Sequence, residues 1–297
     1  MNVKRVIVIA GPTAVGKTAV AIQLAKKLNC EIINADSRQF YKELSIGTAK
    51  PSQEEMEGVT HHFINSHSIH EPLTAGQFEK EAWPVLNACL AKDNCVIVTG
   101  GSGLFIQALV EGTHQLPTDK AIRTELENKL AKLGLIALQE ELKVIDSNAF
   151  ENIDINNPAR VIRALELNKL TGKPLDDLKR AKKPRKRDFI VDYYVLELPR
   201  AILYQRINDR VMKMVEQGLL FEVESVLPYK HLQSLNTVGY KELIPYFEGL
   251  ISLDDAIAQI QQNTRRYAKR QLTWFRRLEN AKWIAPSEAE KIILSNF

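Results

Sequence analysis

Cysteine is scarce in this chain of 297 residues: Cys30, Cys89 and Cys95 are the whole set, and none of them forms a CxxC spacing. Three unpaired cysteines suggest neither a disulfide framework nor a structural zinc site. His61, His62, His67 and His70 crowd one stretch, but their spacing fits no zinc pattern, and loop or packing roles are expected. Long apolar runs are missing as well. No segment approaches the roughly 20 apolar residues that span a bilayer. The apolar stretch near the amino terminus is too short for a signal-peptide core and leads directly into a phosphate-binding pattern, so a cytoplasmic protein without membrane association is expected. Charge is nearly balanced, 40 Lys and Arg against 36 Asp and Glu, a net of +4. The basicity is local instead: residues 180–187 read RAKKPRKR, and residues 264–277 mix cations with aromatics. Such clusters suggest a polyanionic partner gripped at chosen places. There is no internal repeat.

What is present begins eleven residues in. Gly11, Pro12, Thr13, Ala14, Val15, Gly16, Lys17 and Thr18 form G-x-x-x-x-G-K-[ST] directly after the apolar run Val6–Ala10, the strand-then-loop context that this pattern requires. Glycines let backbone N–H groups turn inward on phosphate oxygens. Lys17 adds a point charge, and the Thr18 hydroxyl can ligate Mg²⁺ beside the positive end of the following helix. A compound with two or more phosphates is expected here, nucleotide or not. Thr13 can touch a phosphate or cap the helix.

Residues 6–10, 31–35 and 95–99 read as short β-branched strands, each followed by a helical pattern, which is the punctuation of a parallel sheet covered on both faces. The first helix is predicted over 17–28. From about residue 117 helical patterns dominate (121–133, 136–144, 158–170), and Asn157-Pro158 makes a good helix opening. Residues 189–198 read as a return to the sheet. A helix over 200–217 follows, stopped by Gly218, and a long basic helix lies around 254–278. The expected fold is α/β: a P-loop parallel sheet core flanked by helices, with residues 1–116 as its first part. An inserted α-helical domain spans 117–187, and 188–297 continue the core with C-terminal helices.

Asp36 stands at the carboxyl end of the second strand, the edge where such sheets place their chemistry. The strand 96–99 ends in Thr-Gly-Gly with no acidic residue, unlike an ordinary P-loop NTPase. Asp36 is then open to three roles: metal ligand, general base, or cap of a helix beginning at Ser37. Gly100-Gly-Ser-Gly103 fits either close approach to a ligand or a plain turn. Arg206, Arg210 and Lys213 share a helical face that can meet a diphosphate, or can pair with Asp209 and Glu216. Trp274 and Phe275 can stack on bases or fill a core.

Together these motifs resemble the bacterial-type tRNA dimethylallyltransferase (tRNA isopentenyltransferase) family. The matching segments run in order from end to end. They are the P-loop, Asp36-Ser37-Arg38-Gln39, Ile46-Gly-Thr-Ala-Lys-Pro51, Gly100-Gly-Ser-Gly-Leu104, Asn157-Pro-Ala-Arg-Val-Ile-Arg163, Val238-Gly-Tyr-Lys-Glu242 and the basic helix. The resemblance implies a core that binds dimethylallyl diphosphate with Mg²⁺ and transfers the five-carbon group to N6 of adenosine 37 beside the tRNA anticodon. It implies Asp36 as general base, Lys17, Thr18 and Thr13 on the diphosphate, and Arg210 directed at it. Contacts to the anticodon stem-loop are implied for Asp36, Ser37, Arg38 and Gln39, for Ala159, Arg160, Val161, Ile162 and Arg163, and for Ser102 and Arg123. Phe105 stands where many relatives carry tyrosine. No Cys/His finger follows, as in the shorter bacterial form, and no obligate protein partner is implied. A kinase is disfavoured by the missing second acidic residue. A free-adenylate prenyltransferase is disfavoured by the basic insertion, and an RNA-binding module by the intact Lys17, Thr18 and Asp36.

Overall fold

The computed structural model describes residues 3–112, 116–180 and 187–296. The chain divides into two compact units, Met1–Gly112 with Arg187–Phe297, and Thr113–Lys186.

The first unit is built on six parallel strands in the order β3-β2-β4-β1-β5-β6. In the first stretch of chain lie β1 (Arg5–Ala10), α1 (Lys17–Leu28), β2 (Glu31–Asn34), β3 (His61–His62), α2 (Ala75–Asp93), β4 (Cys95–Gly100) and α3 (Gly103–Glu111). β1 is central, with Val8 level with Val98 on one side and Tyr193 on the other. A strand buried on both faces has no polar side to offer, so it reads as a continuous apolar run. Alternate residues of β1 then feed two cores. Ile7 and Ile9 join Val20, Leu24, Ile32 and Ile97 on one face, while Val6, Val8 and Ala10 join Phe78, Leu86, Ile106 and Val98 on the other.

The second unit holds α4 (Lys120–Ile145), α5 (Ser147–Asn152), α6 (Pro158–Thr171) and α7 (Leu175–Arg180). Asp119 caps α4 by accepting from Ala121 and Ile122 N–H, and Gly134 breaks that helix at φ 76, ψ 174. Asn157 caps α6, with Pro158 in its first turn, and Gly172 ends it in the left-handed region. Leu126, Leu138, Leu142, Val161, Ile162 and Leu165 form its core. Fully buried Glu166 accepts from Asp119 N–H at 3.0 Å and from Arg163 at 2.9 Å, which satisfies a charge that burial alone would forbid.

The chain returns to the sheet with β5 (Ile190–Leu196), followed by α8 (Arg200–Glu216), α9 (Leu219–Val226), α10 (Tyr240–Phe247), α11 (Leu253–Phe275), β6 (Lys282–Ile284) and α12 (Pro286–Leu294). α11 is 23 residues long, about 35 Å at 1.5 Å per residue. It threads three apolar clusters: Ala256 and Ile260 in one, Ala268 in the next, Phe275 in the last. Among the described residues no helix is long and apolar enough to cross a membrane.

Phe275→Ala should destabilise the protein by about 3–5 kcal/mol in chemical denaturation, as a fully buried ring lost from a packed core does. Ile136→Ala, at a side chain 72% exposed, should change stability by about 0.5 kcal/mol or less. Equal losses in the two variants would contradict this assignment of the core.

Candidate active site

The P-loop follows β1 and enters α1. Gly11 has φ +144°, and a Cβ there would lie 2.7 Å from the Leu196 carbonyl oxygen, so only glycine lets the loop leave beside β5. Ala14 (φ 65°) sits in the left-handed region, at a cost of roughly 1–2 kcal/mol for a residue with a Cβ. Gly16 (φ 104°) opens α1, and no side chain caps the helix. Its first N–H groups thus form the kind of end that accepts an anion. Lys17 folds back, its Nζ donating to the Pro12 carbonyl at 2.8 Å. Burial lowers the Lys17 ammonium to about 8; the charge of Asp36 opposes this and that of Arg210 adds to it.

A residue far along the chain fixes this loop. Gln271 of α11, 5% exposed, accepts from the Thr13 N–H at 2.9 Å and donates to the Gly101 carbonyl at 2.9 Å. The glycines after β4 are explained by the same crowding. A Cβ at Gly100 would meet the Ala35 backbone at 2.5 Å, one at Gly101 the Gln271 amide at 2.2 Å, and one at Gly103 the Trp274 ring at 2.0 Å. The close approach expected there is real, but its partners are the protein's own backbone and side chains. Trp274 and Phe275 accordingly belong to a packed core.

Asp36 lies two residues beyond the end of β2. Its Oδ1 accepts from the Arg38 N–H at 3.0 Å, and its carbonyl accepts from the Gln39 N–H at 3.2 Å. Residues 37–40 form a turn, so the carboxylate orders a turn instead of capping a helix. The neighbours are pinned as well. Ser37 N–H donates to the Ser102 hydroxyl at 3.1 Å. Arg38 donates to the Ser234 carbonyl, and Gln39 to the carbonyls of Thr48 and Ala49. The 46–51 segment is held by Glu222, which accepts from the N–H groups of Ser45, Ile46 and Gly47 and from the Tyr240 hydroxyl.

Two cavities meet at Asp36. The larger, about 1050 Å³, is lined by Lys17, Thr18, Asp36, Arg206, Arg210 and Lys213. Arg206, Arg210 and Lys213 of α8 therefore do turn toward the P-loop, and Asp209, which accepts from Gln205 at 2.8 Å, lines the same cavity with Glu55 and Glu57. Burial lowers the Arg210 pKa, with Glu55 and Asp36 opposing. The smaller cavity, about 270 Å³, is lined by Asp36, Arg38, Thr264, Tyr267 and Arg270, and shares Thr13 and Arg210 with the first. Burial, then the Asp36 charge, push the Tyr267 hydroxyl well above the usual tyrosine range, with Ser102 opposing.

The remaining candidates belong to the second unit. Ala159 and Arg160 are exposed, whereas Val161 (0%) and Ile162 (4%) point into that unit's core, so their side chains are unavailable to RNA in this arrangement. Arg163 donates to the carbonyls of Leu116 and Pro117 and pairs with Glu166. Arg123 pairs with Glu127 along α4. Of the basic run 180–187, residues 181–186 lie outside the described residues. Arg187 is in the first unit, where it pairs with buried Glu79 and stacks on Trp83 at 4.1 Å.

Gln271, Tyr267 and Glu222 are the site residues that the sequence reading missed. The first two lie one helical turn apart inside the basic helix, and that spacing is the available signal.

A family model described as IPP transferase matches residues 39–278. The chain is 44% identical over 290 residues to a tRNA dimethylallyltransferase of Cytophaga hutchinsonii, covering 97% of this chain and 95% of that one. It is 42% identical over 294 residues to one of Geobacillus thermodenitrificans, covering 97% and 92%. Among solved structures, the tRNA isopentenylpyrophosphate transferase of Bacillus halodurans superposes with a TM-score of 0.72 at 37% identity, covering 98% of this chain and 96% of that one. A eukaryotic dimethylallyltransferase acting on tRNA superposes at 0.81 with 29% identity, covering 95% and 74%.

Binding of inorganic diphosphate, followed by calorimetry, should weaken as pH rises through about 8, where the free protein's Lys17 loses its proton. Lys17→Arg, which keeps its charge beyond that range, should flatten this limb. The same limb in both proteins would remove Lys17 from the site. Gln271→Leu strands the Thr13 N–H and the Gly101 carbonyl and should cost about 1–3 kcal/mol of unfolding free energy for each stranded group; unchanged stability would show that the bridge is not needed.

Proposed function

The chain belongs to the IPP transferase family, and on that footing we propose that it transfers a dimethylallyl group from dimethylallyl diphosphate to a tRNA. The acceptor in this reading is N6 of adenosine 37, adjacent to the anticodon in tRNAs that read U-initial codons, giving i6A37 and diphosphate. The observation that carries the proposal is the position of Asp36 at the seam of two cavities, one holding Lys17 and Thr18 of the P-loop and the other lined by Arg38, Tyr267 and Arg270.

The chemistry suits that seam. An adenine amine is a poor nucleophile because its lone pair is delocalised into the ring, so a base must take its proton as the new C–N bond forms. Asp36 can accept that proton from a base entering by the smaller cavity. Across the seam the allylic C–O bond breaks, and negative charge grows on the departing diphosphate. The P-loop N–H groups, Lys17 and Arg210 meet that charge with positive groups already in place, so little reorganisation is needed during the step. Thr13 and Thr18 complete the cradle. The donors lining the larger cavity also fit Mg²⁺, which takes oxygen ligands and draws the rest from substrate phosphates and water. Thr18 would hold it by its hydroxyl, and its contribution when bound is to neutralise charge on the diphosphate. Arg38 and Tyr267 flank the smaller cavity and suit a flipped base, which must leave its stack to be modified.

Incubation with Mg²⁺ and labelled dimethylallyl diphosphate, in parallel with unmodified tRNA or with AMP, tests the reading. Label should appear on tRNA alone, at the adenosine following the anticodon. Label on AMP alone, or ATP turnover without any label transfer, would overturn it.

A further inference from the structure

The opposite end of β2 gathers three chemically different donors that the catalytic reading does not use. Glu31 opens β2, His62 closes β3, and Cys89 lies on the helix packed above them. The Glu31 Oε2 stands 2.6 Å from His62 Nε2 and 3.6 Å from Cys89 Sγ, and the third edge of the triangle, Sγ to Nε2, is 3.9 Å. All three donor atoms lie within 4.8 Å of one another.

We propose that Glu31, His62 and Cys89 form a binding site for a borderline-soft divalent metal of the Zn²⁺ class, with solvent water as the fourth ligand. A tetrahedral Zn²⁺ with bonds of about 2.0–2.3 Å to N, O and S holds its donors roughly 3.3–3.6 Å apart. Two edges of the triangle are already near that spacing, and the third needs only for Glu31 and His62 to part by less than a bond length. An O, N and S donor set suits zinc; Mg²⁺ and Ca²⁺, which prefer oxygen alone, are poorly served by it.

The surroundings fit as well. Lys92 Nζ holds the other carboxylate oxygen, Oε1, at 2.7 Å, which leaves Oε2 facing the imidazole and the thiol. The Lys92 ammonium balances the Glu31 carboxylate from the side away from His62 and Cys89. Cys89 is buried, while His62 and Glu31 keep 29% and 20% of their side chains exposed, which opens a route from the surface and leaves room for a water. Burial and the nearby Glu31 push the metal-free Cys89 thiol up to about 12. On metal binding its proton passes to solvent and the thiolate takes the bond, as a coordinating thiol does. The proton that His62 Nε2 donates to Glu31 leaves that nitrogen for Nδ1 or for solvent, which frees its lone pair for the metal. A metal here would tie the two-residue edge strand β3 to α2 and β2. Its members lie 27 and 31 positions apart, far outside any local Cys/His pattern.

The test uses the untagged full-length chain, stripped with a chelator and titrated with Zn²⁺ against a chromophoric competitor, then with Co²⁺ to read thiolate charge-transfer absorption. One equivalent should bind, with the thiolate band present. His62→Gln should weaken binding by at least the roughly tenfold that losing even an outer partner of a ligand costs, and Cys89→Ser should abolish the band. Less than stoichiometric uptake by the wild-type chain, or unchanged affinity in His62→Gln, overturns the proposal. His62 is partly exposed, so circular dichroism of that variant separates loss of a ligand from loss of fold. Prenyl transfer does not enter the readout, so this site and the catalytic reading stand or fall separately.

Discussion

The bridge from Gln271 to the Thr13 N–H and the Gly101 carbonyl sets the geometry on which the site depends. The P-loop and the loop after β4 are neighbours because β1 and β4 pair in register, but a sheet fixes strands, not the loops beyond them. One buried amide, with a donor and an acceptor at opposite corners, satisfies both loops at once and ties them to α11. That helix is in turn anchored in three cores, so its position is set by packing and it cannot adjust freely. The glycines at 100, 101 and 103 follow as a requirement of the same close approach.

Lys17 and Arg210 are brought together with their ordinary pKa values lowered by burial, an arrangement that opposes folding and is relieved by an anion. Asp36 offsets part of the repulsion from one side. A diphosphate would offset more from the other, and its departure with full charge is the step that such a site favours. The free Lys17 occupies itself with the Pro12 carbonyl, an internal stand-in for a phosphate oxygen.

Much of this was legible in the residues. The central strands read clearly because burial on both faces leaves a continuous apolar signal, and α1 emerged with its bounds because a glycine-rich loop and a positive-φ asparagine delimit it. β3 has two residues and β6 three, too few for periodicity, so their place at the sheet edges is a tertiary fact. The chemistry of the P-loop and of Asp36 is local in sequence and was visible. Gln271 and Glu222 act across 258 and 175 positions on Thr13 and Gly47, and apart from the one-turn spacing of Tyr267 and Gln271 nothing nearby in the chain marks them. The converse holds for buried side chains in stretches that are marked. Val161, Ile162 and Arg187 lie in basic or motif-bearing stretches, yet their side chains are taken up by a core and by the Glu79–Trp83 pair.

In the proposed reaction Asp36 takes the proton while the P-loop cavity takes the diphosphate, and replacing Asp36 by Asn separates the two roles. The amide keeps the shape and an acceptor oxygen for the Arg38 N–H but cannot serve as the base. Measured side by side, turnover should fall by about 10²–10⁴, the usual worth of a general base, while tRNA affinity is retained. Near-normal turnover in that variant, or tRNA affinity lost along with turnover, would contradict the account.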